Sequence, residues 1–144
     1  ECQLLIEGEH THSVTWCCFS HDGEYILTSS YDKTARLWNI TDATLIKTLR
    51  HEDSVYSCAF SFDDKLIVTA CNDKTVRIWD TQSGQLKRSL QVQGHATCIF
   101  NACFSGDCNR IVSATVRIWD AHTGNVLSKF EMNGHFMSCD FTPL

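Results

Sequence analysis

Thr69 to Asp80 reads TACNDKTVRIWD: a short apolar run, a polar Asn72-Asp73-Lys74, and a second run that closes on Trp79 and Asp80. Two apolar runs around so few polar residues spell a tight hairpin between antiparallel strands. The same pattern stands earlier as TSSYDKTARLWN, Thr28 to Asn39, and returns shortened as SATVRIWD, Ser113 to Asp120. Trp38, Trp79 and Trp119 are 41 and 40 residues apart, so the chain is built on a repeat of about 41 residues.

Working back from each Trp, His10 and His51 both fall 28 residues earlier, and HTHSVTWCCF superimposes on HEDSVYSCAF without a gap. HATCIFNACF, from His95 to Phe104, has the same ten-residue shape. Each unit holds four short apolar runs, in the second Val55 to Phe60, Leu66 to Ala70, Val76 to Trp79 and Leu86 to Leu90. None is long enough for an ordinary helix, and the alternation of Leu66 with Val68 and of Val76 with Ile78 predicts strands. Val55, Cys58 and Phe60 step by three and then two, which predicts a bulge in the first strand. Four antiparallel strands with two apolar faces cannot bury both alone, so units must stack on one another. From Phe to Trp the first two units count 19 residues and the third, Phe104 to Trp119, only 15. Two strands without a turn cannot reverse, so a break is expected between Ala114 and Thr115, with a turn segment lost at a hairpin tip. A similar shortfall of three residues follows His135.

Composition narrows the function classes. With 144 residues, 43% hydrophobic and 20% charged, the chain suits one globular domain rather than a disordered segment. Twelve basic against 17 acidic residues, net charge -5, and no basic run speak against nucleic acid or anionic lipid as a bulk-charge partner. No stretch is apolar for the roughly 18 residues a bilayer span needs, and ECQLLIEGEH is no signal peptide, so no membrane partner is expected. The nine cysteines are odd in number and include adjacent Cys17 and Cys18, which fits neither a disulfide framework nor a zinc knuckle. Cys17, Cys58 and Cys139, each two residues before a Phe, and Cys103, just before Phe104, read as reduced thiols packed in the core. His95 with Cys98, Cys103 and Cys108 is the rival metal set, with spacings too wide for one knuckle.

The Gly-His pairs Gly94-His95 and Gly134-His135, the hairpin aspartates Asp32 and Asp73, and the closing Trp79-Asp80 and Trp119-Asp120 together resemble the WD40 repeat. Glu9 and Arg50 stand in place of the Gly before His, and Asn39 in place of the Asp after Trp38. The resemblance implies an all-β fold of four-stranded antiparallel blades, an incomplete set belonging to a larger propeller. On this reading residues 1–9 end a preceding blade, 10–50, 51–94 and 95–134 are three repeats, and 135–144 begin another. Leu4 to Ile6 would be the last strand of that preceding blade.

His10, Thr28 and Asp32 have the look of base, nucleophile and orienting carboxylate. His51, Thr69 and Asp73 repeat them, and the third unit keeps His95 and Ser113. Catalysis needs one constellation, so a set that recurs in every unit argues for structure. The resemblance implies that these residues, with Trp38, Trp79 and Trp119, form a hydrogen-bond network within each blade. It also implies a partner-binding face at Ser13, Thr15, Tyr31, Ser54, Tyr56, Asn72, Cys98 and Phe100. Tyr31 and Tyr56 are expected on that surface, while Val14 and Val55 are expected in the core. The function implied is a non-enzymatic scaffold for proteins or peptides, intracellular, with no cofactor and no metal. The alternative is a substrate-reading or targeting propeller attached to a catalytic domain or enzyme complex.

Overall fold

The computed structural model describes residues 10–91, 98–130 and 137–141. Twelve strands form three four-stranded antiparallel sheets, each in chain order, and the described residues contain no helix. The first sheet holds β1 (Val14–Phe19), β2 (Tyr25–Ser30), β3 (Thr34–Asn39) and β4 (Leu45–Arg50). The second holds β5 (Val55–Phe60), β6 (Leu66–Cys71), β7 (Thr75–Asp80) and β8 (Leu86–Gln91). The third holds β9 (Ala102–Phe104), β10 (Arg110–Ser113), β11 (Arg117–Asp120) and β12 (Val126–Lys129). The expected bulge is present, since the register slips between Val55 and Ser57 and likewise between Val14 and Trp16.

Stacking follows from period two. Ile67 and Trp79 of the second sheet pack with Leu27, Leu37 and Leu49 of the first, whereas Val68, Val76 and Ile78, one residue along, pack with Ile99, Ile111 and Trp119. Adjacent residues of a strand point to opposite faces, so one sheet serves two cores. A buried Ile or Val of this kind contributes roughly 1.5 to 3 kcal/mol, so each interface holds the blades together without a closed core inside any of them. The innermost strands meet across the interfaces, β5 against β1 and β2, β9 against β5 and β6.

Val14 departs from expectation. Its counterpart Val55 is fully buried under the first blade, but Val14 is 52% exposed, because no described residue covers that side of β1. Cys17 is exposed for the same reason, whereas Cys58 at the equivalent place is buried.

The missing turn is also corrected. The third hairpin closes without a break through Ala114, Thr115 and Val116, with the Val116 amide donating to the Ser113 carbonyl at 2.8 Å. Thr28 pairs with Arg36 and Thr69 with Arg77 across seven intervening residues, and Ser113 pairs with Arg117 across three. Removing four residues at a tip takes two from each strand, an even number, so every side chain keeps its face. Val116 completes the reversal at φ 55°, where Lys33 and Lys74 sit at 69° and 67° in the longer hairpins. A β-branched residue is strained in this left-handed region. The second shortfall, after His135, falls largely outside the described residues, as do Leu4 to Ile6.

Candidate functional site: hydrogen-bonded blades and an aromatic tip face

In the first blade the network is complete. His10 lies between Asp32 and Thr28, its Nδ1 2.8 Å from Asp32 Oδ2 and its Nε2 2.7 Å from Thr28 Oγ1. Trp38 Nε1 donates to the same Thr28 oxygen at 2.9 Å. Thr34 donates to Asp32 Oδ1 at 2.6 Å and the Thr11 amide to Oδ2 at 3.1 Å. Burial alone raises a carboxyl pKa, but the bonds from Thr34, His10 and Thr11 outweigh it and hold Asp32 at about 2.

The second blade uses the same residues differently. His51 Nε2 is 2.8 Å from Thr69 Oγ1, and Trp79 Nε1 donates to that oxygen at 2.9 Å. Asp73, however, does not touch His51. It accepts from Thr75 and pairs with Arg77 Nη2 at 2.7 Å. Its carboxyl is raised by burial but held below the usual range by the Arg77 and Thr75 bonds. His51 Nδ1 faces the Leu49 carbonyl at 3.1 Å instead. A carbonyl only accepts, so Nδ1 carries the proton and Nε2 accepts from the Thr69 hydroxyl. Burial, reinforced by the Arg77 charge, lowers the His51 pKa to about 4. In the first blade the guanidinium is farther away, 3.7 Å from Asp32, and that carboxylate serves the histidine.

In the third blade Trp119 Nε1 still reaches Ser113 Oγ at 3.2 Å, a consequence of the preserved register, while Thr115 Oγ1 fills the hydroxyl's other side at 2.7 Å. The shortened tip carries no counterpart of Asp32, and His95 lies outside the described residues. The Thr28, Thr69 and Ser113 hydroxyls each accept a Trp N–H, and Thr69 and Ser113 are fully buried.

The tip face gathers aromatic groups. Tyr31 meets Tyr56 edge-on, ring centroids 6.0 Å apart, and Tyr56 meets Phe100 at 5.0 Å, so each ring comes from a different repeat. His12 extends the row against Tyr31 at 5.5 Å. Tyr31 is exposed, while Tyr56 and Phe100 are half-buried. Tyr56 donates to Asn72 Oδ1 at 3.1 Å and Asn72 donates to Asp53 at 2.7 Å, which fixes the middle of the row. Burial and the neighbouring Cys98 raise the Tyr56 pKa, so the phenol stays neutral. Ser13 is exposed beside Tyr31, and the Ser13 and Ser54 carbonyls accept from the Tyr31 and Asn72 amides. Thr15 is half-buried, its hydroxyl donating to the Val55 carbonyl at 2.6 Å and contacting Ser29. Sequence reasoning missed His12 and Asp53, which no repeat duplicates. It also missed Ser20, Ser61 and Ser105, which close the opposite turns onto Asp22, Asp63 and Asp107. Their signal was plain in FSHDG, FSFDD and FSGDC.

A profile of the WD40 family, described as "WD domain, G-beta repeat", matches residues 2–39 and 43–80, just over half of the chain. The chain belongs to the WD40 repeat family. Over 35 residues it is 49% identical to the small ribosomal subunit protein RACK1 of Neurospora crassa, and equally to MST50-interacting protein 11 of Pyricularia oryzae. That stretch is 24% of this WD40 chain, and the chain spans only 11% of the length of each relative.

Proposed function

We propose that this WD40 chain is a non-enzymatic interaction scaffold that meets protein or peptide partners on its aromatic tip face. The observation that carries the reading is the row Tyr31, Tyr56 and Phe100, three rings from three repeats with consecutive centroids 6.0 and 5.0 Å apart. Aromatic groups dominate the energetics of protein recognition, and here an exposed ring, Tyr31, leads a row of two half-buried ones. Membership of the WD40 family supports a protein-binding role. The name of the Pyricularia relative, MST50-interacting protein 11, describes an interacting protein, which points the same way. The ribosomal name of the Neurospora relative supports an intracellular, cytoplasmic setting. A net charge of -5 favours proteins over nucleic acid as partners.

The test compares immobilised chain with a Tyr31→Ser/Tyr56→Ser variant and with Phe62→Ser, an exposed ring on the turn at the opposite ends of the strands. Proteins recovered from extract by the parent and by Phe62→Ser, but lost with the tyrosine pair replaced, are the expected outcome. Urea unfolding of each variant checks that its fold is retained. Equal recovery by a folded double variant would place binding on another surface.

A further inference from the structure

Two blade boundaries carry the same pair of thiols. Between the first and second blades the Cys18 thiol donates to the Cys58 carbonyl at 3.5 Å. At the third blade the Cys103 thiol donates to the Cys139 carbonyl, also at 3.5 Å. In each pair the two thiols also lie near enough to shift one another's pKa, the first downward and the second upward. The positions are equivalent: the first member stands just before the closing Phe of its repeat, Phe19 or Phe104, and the second stands two before the Phe of the next, Phe60 or Phe141. The boundary between the second and third blades has Ala59 and Ala102 there and forms a natural comparison.

We propose that Cys18 with Cys58, and Cys103 with Cys139, are two reversible oxidation sites at which hydrogen peroxide links neighbouring segments of the chain through disulfides. Cys18 and Cys103 are partly exposed, so peroxide reaches them, while Cys58 is fully enclosed. The neighbouring Cys58 thiol lowers the Cys18 pKa, and the Cys139 thiol does the same for Cys103. The thiolate, not the thiol, is the nucleophile. The Cys18 thiolate attacks one peroxide oxygen, the O–O bond breaks, and the departing hydroxide takes up a proton as water, leaving a sulfenic acid. The Cys58 sulfur then attacks the sulfenic sulfur. The S–S bond forms, the S–O bond breaks, and the hydroxyl leaves as water with the proton from Cys58. Two thiols are oxidised and one peroxide is reduced to two waters, and a dithiol reverses the change by exchange. The product ties β1 to β5, across the boundary between the first two blades, and β9 to the segment 137–141.

The full chain is treated with hydrogen peroxide, free thiols are alkylated, and peptides are mapped by mass spectrometry. The expected products are the Cys18–Cys58 and Cys103–Cys139 linked peptides, both lost after dithiothreitol. Cys58→Ala should remove only the first and Cys139→Ala only the second. Bridging of Cys17 to Cys18, linkage through Cys98 or Cys108, or over-oxidation of Cys18 without any bridge overturns the proposal. A second readout does not depend on those buried substitutions. Oxidation should raise the thermal midpoint of the parent chain but not that of Cys18→Ser/Cys103→Ser, and an equal rise in both refutes the assignment.

Discussion

His51 makes stability depend on pH in a way that can be worked from its surroundings. Its Nδ1 proton is held by the Leu49 carbonyl and its Nε2 accepts from the Thr69 hydroxyl, so a second proton on Nε2 would displace that hydroxyl's hydrogen bond. Burial and the Arg77 charge bring its pKa to about 4 in the folded chain, against 6.5 when unfolded. Between those values the unfolded state binds more protons than the folded one, so stability rises with pH and is lost on acidification below 6.5. Linkage gives a loss of about 2 kcal/mol on going from pH 7 to pH 5, and about 3 kcal/mol once pH falls past 4. Asp32 acts later, since a carboxyl lowered from 3.8 to about 2 contributes stability above 3.8 that disappears only as pH falls between those values. Urea unfolding midpoints at pH 7, 6 and 5 should therefore drop steadily for the parent chain. His51→Gln, which can hydrogen-bond but cannot titrate, should start less stable and show a slope shallower by that amount. An identical pH slope in the two proteins, or a His51 resonance titrating near 6.5 in the folded chain, would refute the reasoning.

Val116→Gly should raise stability by about 1 kcal/mol, because glycine takes the left-handed backbone without the cost a β-branched side chain incurs there, and a higher urea midpoint checks it. Asp73→Asn should destabilise by about 2 to 3 kcal/mol by leaving the Arg77 guanidinium without its carboxylate. The pH slope due to His51 should persist and steepen in that variant, since the Asp73 charge opposes the effect of Arg77 on the imidazole; calorimetry and the same midpoint series test both parts.

Much of the fold was legible in one dimension. The Trp spacing, the hairpin polar triplets and the runs of Val, Ile and Leu at period two specify strands, their order and the need to stack, because backbone alternation converts a linear pattern directly into two faces. The first-strand bulge followed from Val55, Cys58 and Phe60 alone. The site was legible in part. Thr28, Thr69 and Ser113 stand under Trp38, Trp79 and Trp119 because the ladder puts them there, and that ladder is local in sequence.

What only the tertiary structure decided are outcomes of competition and of packing between repeats. Identical residue types gave Asp32 to His10 but Asp73 to Arg77, since a guanidinium 2.7 Å away in one blade and 3.7 Å away in the other captures the carboxylate only where it comes close. The shortened third hairpin closed because an even number of residues was removed, a fact about cross-strand register that a count of missing turn residues does not contain. Val14 and Val55 are the same residue at the same repeat position, yet one is half exposed and the other fully buried, because burial belongs to the neighbour that covers a side chain. The sequence by itself determined what each blade is; the contacts between blades determined which of its groups are buried, which are charged and which face outward together.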